Sequence, residues 1–216
     1  IGSAWNIHQN KPVALMMYEN IKRVGMPKWD STDQKFARAV QIELGQSDSG
    51  LKVVPQKLLT PQEALAQATG MGSDDIGDVS WNVPSVTLQY PSNIPGTPGH
   101  NWADGIAMAT PLAHKGAVVG AKVQALSLLD ILLTPKVVAD AWDYFRNEQT
   151  KTTKYQSLLA DTDQPPTYLN AEIMARYRPL MKPFYYDATK YKTYLEQLGI
   201  TYPTTRASKL PTQPVP

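Results

Sequence analysis

The chain has no cysteine and only three histidines in 216 residues. Without thiols there can be no disulfide framework, no thiolate nucleophile and no sulfur-ligated metal. One histidine cannot build a catalytic metal site, which takes about three protein ligands. Charge of one sign is also lacking: 21 Lys+Arg face 19 Asp+Glu, a net charge of +2. That balance gives no electrostatic case for nucleic acid or an anionic membrane, and neither is expected as a partner. No window approaches the ~18 consecutive apolar residues of a membrane span. Gly-x-Ser-x-Gly, P-loop and Rossmann fingerprints are missing, as are internal repeats. The five tryptophans (Trp5, Trp29, Trp81, Trp102, Trp142) lack the interleaved basic stripe of a nucleic-acid surface.

What is present reads as globular: 42% hydrophobic and 19% charged residues, enough for one domain with a sizeable core. The first residue is Ile1, with no basic-then-apolar leader after it. The expectation is a chain cut from a longer precursor, or one that begins inside a larger protein. Gly2 to His8 reads as a short strand. Over Lys11–Val24, Met17, Ile21 and Val24 keep helical spacing, with Pro12 in the first turn and Gly25 past the end. Asp30 or Ser31 opens a second helix with Phe36, Val40 and Leu44 on one stripe. Pro61 starts a short helix near QEALAQA. Val79–Leu88 has strand propensity, interrupted by Pro84. Pro111–Leu133 is a long apolar helix whose Ala117, Gly120, Ala121 and Ala125 form a small-residue stripe. Thr134-Pro135 caps another, with Val138, Ala141, Trp142 and Phe145 inward. Beyond Arg146, helical patterns recur near Asn170–Tyr177 and Asp187–Leu198, and KLPTQPVP reads as an extended tail.

Chemistry concentrates between Gly70 and His114. His100 sits in PGTPGHNW, too rich in Gly and Pro to be helical. An imidazole in a constrained loop can present a metal ligand, with Gly96 and Gly99 turning the backbone; the plain alternative is a surface histidine. Asp74, Asp75 and Asp78 could bind a hard cation or orient a ligating histidine, or simply cap a helix. His114, before Lys115 at the start of the apolar helix, could contact an anionic substrate or serve as a cap. His8 reads as ordinary.

Taken in order, these pieces resemble the C-terminal half of the metal-dependent amidohydrolases related to aminoacylase, auxin-conjugate hydrolases and carboxypeptidase G. GSDDIGDVSWNVPSV stands where that family carries an acidic segment followed by a strand. PGTPGHNW stands where it carries the last metal-binding histidine, and AHKGAVVGAKVQALSLLDIL resembles the long helix that follows. SAWNIHQNKPVALMMYENIKRVG resembles the last strand of an inserted dimerisation domain and the helix re-entering the catalytic domain. The resemblance covers residues 1 to 145 and, loosely, the remainder.

The resemblance implies an α/β fold: half of a zinc-peptidase-like catalytic domain, with a mixed sheet flanked by helices. Residues 1–10 would be the last strand of an α/β dimerisation (lid) domain, 11–145 the catalytic portion, and 146–216 an extension with a Pro-rich tail. It implies hydrolysis of N-acyl or N-aroyl amino acids, including the aminobenzoyl-glutamate kind, with two divalent ions, zinc or manganese. His100 would be a metal ligand, Asp75 would lie beside it and support it, and His114 would touch substrate. The general base and remaining ligands would come from an N-terminal half outside this chain, in a homo- or hetero-oligomer acting on a small-molecule amide in the cytoplasm. Amide hydrolysis needs an activated water, a Lewis acid and a proton shuttle, and no glutamate here lies in a recognisable base motif. The competing reading is a non-catalytic, peptidase-like interaction module. Residues 2 to 8, an apolar edge, are expected to pair with strands outside the chain. Asp74 and Asp78 are expected to cap or to be solvated.

Overall fold

A computed structural model of the chain describes residues 4–59 and 75–205. The helices are α1 (Lys11–Val24), α2 (Ser31–Glu43), α3 (Asp75–Ser80), α4 (Trp102–Met108), α5 (Pro111–Leu133), α6 (Pro135–Tyr144), α7 (Ala171–Met181) and α8 (Tyr194–Gln197). Among the described residues there is no β-strand. The mixed-sheet α/β expectation is therefore wrong for this structure, and no strand forms over residues 4–10, where the last strand of a dimerisation domain is expected.

The chain folds as two compact units. The first comprises Ile1–Met26, Val54–Tyr90 and Val118–Leu169; the second comprises Pro27–Val53, Pro91–Ala117 and Asn170–Pro216.

In the first unit, α1 starts where Asn10 accepts the Val13 N–H, a cap that ties down one of the helix's free donors. The Asn10 amide donates to Ala141 O at 3.0 Å and Gln149 Oε1 at 2.6 Å. Gln149 can turn inward because α6 runs on into a π-helical turn over Phe145–Gln149; its amide donates to His8 O. Val13, Met17, Val123, Ala141 and Phe145 supply the buried apolar atoms. Val138, expected inward, is 37% exposed. Buried Asn20 ties α1 to α5 through Ser127 (3.2 Å) and Asp130 (2.7 Å).

Both predicted strands belong to this unit, and both are something else. Val79–Leu88 begins inside α3 and continues without regular structure. The N-terminal segment packs on this chain's own side chains. Trp5 N–H donates to Asp78, His8 N–H to Ser80 Oγ, and Asn10 N–H to Ser85 O. Thr87 N–H donates to the Gln9 side chain, and the Trp81 indole to Asn6 O. The ring of Trp5 lies 4.9 Å from Trp81 and 5.7 Å from Tyr155. Extended backbone needs its polar groups satisfied. Here side-chain oxygens, an indole and scattered carbonyls satisfy them, so no ladder forms. Gly77 is required for this approach, since a Cβ there would stand 1.6 Å from Trp5 O.

By length and composition α5 could cross a bilayer, at mean hydropathy 1.6, although Lys115, Lys122 and Asp130 interrupt it. The expected small-residue stripe divides: Gly120 meets the Tyr90 side chain, while Ala117, Ala121 and Ala125 are exposed.

The second unit is built on α2. Asp30 and Asp33 form a reciprocal capping box at its start. Phe36, Ala37, Leu51, Ile94, Ala107 and Leu112 form its core, with Trp29, Val40 and Tyr202 against it. The expected helix near QEALAQA and the KLPTQPVP tail lie outside the described residues. The helical pattern near Asn170 becomes α7, and that near Asp187 contracts to the four residues of α8.

Candidate functional site

His100 sits in a loop that the second unit holds at both ends. Buried Gln41, on α2, donates to Pro95 O at 2.8 Å and to Gly50 O at 3.3 Å, and accepts the Gly50 N–H at 2.8 Å. Gln34 pairs in the same two-way fashion with the backbone of Leu51. These amides act as substitute strand partners, satisfying backbone that no sheet covers. Beyond Pro95, Asp104 of α4 accepts from Asn93 Nδ2 at 2.8 Å and Thr97 Oγ1 at 2.6 Å. Gly116 leaves room for Pro91, whose carbonyl oxygen would lie 2.0 Å from a Cβ at that position.

At the tip, His100 itself takes the left-handed backbone conformation, φ 55°, alone among the described non-glycine residues. The expected pair of turning glycines is half right: Gly96 has φ 84°, but the residue after Gly99, not Gly99, occupies the left-handed region. Side chains with a Cβ enter that region at a cost of about 1–2 kcal/mol, and such outliers cluster at functional sites. The imidazole is exposed, and no hydrogen bond to its ring occurs among the described residues.

Asp75 is the exposed first residue of α3, in the first unit. Its support of His100 rests on the sequence resemblance alone. Asp74 is outside the described residues. Asp78 accepts the Trp5 N–H, and its carboxylate raises the pKa of the Tyr155 phenol. His8, expected to be ordinary, packs its ring 4.6 Å from Trp81 at a tilted angle and leaves its Nδ1 buried without a partner; burial lowers its pKa. Among the described residues, no group of three or more His, Cys, Asp or Glu could hold a metal ion. Taken alone, these residues do not fit a complete metal centre.

His114 is exposed on the first turn of α5, beside a cleft of about 440 Å³ in the second unit. The next residue, Lys115, carries a network that sequence reasoning missed. Its ammonium lies 2.8 Å from Asp30 and 2.5 Å from Asp33, whose side chain is 1% exposed. The Tyr202 phenol donates to the other Asp33 oxygen at 3.1 Å. Hydrogen bonding to Lys115 holds Asp30 below the usual carboxylate range, and the Asp30 and Asp33 bonds raise Lys115. Burial, then the Asp33 charge, pushes the Tyr202 phenol well above its ordinary value. The readable signal was Asp30-x-x-Asp33; nothing local marked Lys115 or Tyr202 as its partners.

The chain is similar to part of a hydrolase. It is 28% identical over 144 residues to one of the subunits of p-aminobenzoyl-glutamate hydrolase from Escherichia coli (strain K12). The alignment covers 57% of this chain and 30% of that relative's length. The ordered motifs of the sequence point to the same enzyme. No family model and no solved structure matches the chain. The relative is named as a single subunit of its enzyme, which agrees with the expectation of a partner chain.

Proposed function

We propose that this chain is the C-terminal portion of a metal-dependent amidohydrolase that cleaves N-acyl or N-aroyl amino acids, including the aminobenzoyl-glutamate kind. The observation that carries the reading is the similarity to a subunit of p-aminobenzoyl-glutamate hydrolase. The geometry of His100 supports it: an exposed imidazole, without a partner among the described residues, on a left-handed backbone in a loop braced by Gln41 and Asp104. His100 is one donor toward a divalent cation, zinc or manganese, which would supply Lewis acidity to the amide. The other donors and the general base come from a partner chain or from sequence beyond residues 1–216. His114 contributes to substrate binding.

Intact mass and N-terminal sequencing of material co-purifying with the chain test this reading. A second polypeptide with paired glutamates and a His-x-Asp or Cys-x-His motif, giving an assembly that hydrolyses N-benzoyl-glutamate, is the expected result. An assembly whose partner lacks such residues and has no amidase activity would favour the interaction module.

A further inference from the structure

The extended segment before α1 is fastened to the first unit by side chains rather than by a ladder. Its hinge end is fixed: Asn10 is fully buried, its backbone N–H donates to Ser85 O, and its amide reaches Ala141 and Gln149. The rest is held at single points. His8 N–H donates to Ser80 Oγ, the Gln149 amide to His8 O, the Trp81 indole to Asn6 O, and the Trp5 indole to Gln156 O. One group among these fastenings lacks a partner. His8 Nδ1 is buried with no hydrogen bond among the described residues, and its ring lies 4.6 Å from Trp81.

That orphaned nitrogen sets what a proton does. A protonated imidazole carries an N–H on both nitrogens. The closed segment would then bury one donor of a cation with no acceptor, which a low-dielectric setting penalises. We propose that residues 4–8 are an acid-released strap: clamped at neutral pH, they swing out about Asn10 when His8 is protonated and uncover the cluster of Trp5, Trp81 and Tyr155. The titratable and charged groups on the elements packed against the strap are Asp75 and Asp78 of α3, Arg146 and Glu148 of the π-helical turn, and Tyr155. None of them contributes to the lowered pKa of His8, whose cause is burial alone. Asp78 is occupied by the Trp5 N–H. The open strap takes up the proton with the ordinary value of 6.5, so closure is strongest above that pH and is lost as pH falls below it. One proton held by the open form raises the open-to-closed ratio by up to about tenfold between about pH 7.5 and about pH 5.5.

The test is an NMR pH titration of the intact chain over that range. It reads the protection of each tryptophan indole N–H and of the Asn20 amide, each relative to a free model compound at the same pH. Trp5 and Trp81 are expected to lose protection together, by up to about tenfold. Trp29, bonded to Lys52 O in the second unit, and Asn20, bonded to Asp130 in the first, should keep theirs. His8→Phe should leave the strap closed throughout. His8→Arg, a fixed cation, should open it at neutral pH, and circular dichroism will verify that both variants fold. Unchanged protection of Trp5 and Trp81, the same loss in His8→Phe, a loss shared by Trp29 and Asn20, or a His8 that titrates at or above 6.5 would overturn the proposal.

Discussion

Replacing Lys115 by methionine should cost the second unit far more than a surface ion pair would. Two carboxylates share this ammonium. Asp30 is 58% exposed, and exposed pairs of that kind contribute about 0–1 kcal/mol. Asp33 is 1% exposed, and removing one partner of a buried pair costs about 3–5 kcal/mol because the charge left behind is uncompensated. Two donors to Asp33 survive the substitution: the Tyr202 phenol at 3.1 Å and the Asp30 N–H at 2.9 Å. The loss should therefore lie at the lower end, about 3 kcal/mol. Asp33→Asn in the Lys115→Met background removes the stranded charge and should recover about 2 kcal/mol of that loss. Urea unfolding followed by tryptophan emission, run on both single variants and the double variant, measures the coupling. A loss below about 1 kcal/mol for Lys115→Met, or additive single effects, would refute the role assigned to Asp33.

Tyr202 predicts an alkaline limit. Its folded pKa lies above the ordinary 10.0, so its stabilisation is fully present below pH 10 and fades as pH rises toward the folded value. Tyr202→Phe should flatten the alkaline limb of a denaturation series; an unchanged limb would sink the assignment. His8 predicts the opposite limb. Burial lowers its pKa below 6.5, so the unfolded chain takes up the proton first and stability falls as pH drops below 6.5. His8→Phe, packed on Trp81, should make acid unfolding less steep. Gly77→Ala should expel the N-terminal segment, because the added Cβ meets backbone rather than a movable side chain. A loss on the order of 3 kcal/mol or more, with red-shifted Trp5 emission, is expected; a loss within ~0.5 kcal/mol would contradict it.

Much of the helical framework is legible in the residues. Over Lys11–Val24 helical spacing, Pro12 in the first turn and Gly25 past the end agree, over Ser31–Glu43 the stripe and the Asp30 start agree, and the helices form there. The long apolar helix and the Thr134-Pro135 boundary are equally local. The strand expectations fail for a physical reason. Trp5, Ile7 and Val79–Leu88 carry strand propensity, but a strand exists only where a neighbour completes the ladder. Here Asp78, Ser80 and Gln9 occupy the donors instead. At the site, PGTPGHNW marks a turning loop, yet the left-handed residue is His100 and not the glycine before it. The Asp33–Tyr202 bond joins residues 169 apart, beyond the reach of any local pattern.

The most direct measurement is the metal content of the purified assembly, by elemental analysis, for the wild type, His100→Ala and His114→Ala. If His100 is a metal ligand, His100→Ala loses metal and amidase activity but keeps its fold, since the loop histidine buries little apolar area. His114→Ala retains full metal and is weakened at most in substrate binding. Unchanged metal stoichiometry in His100→Ala, or full hydrolase activity from this chain alone, would place the site elsewhere.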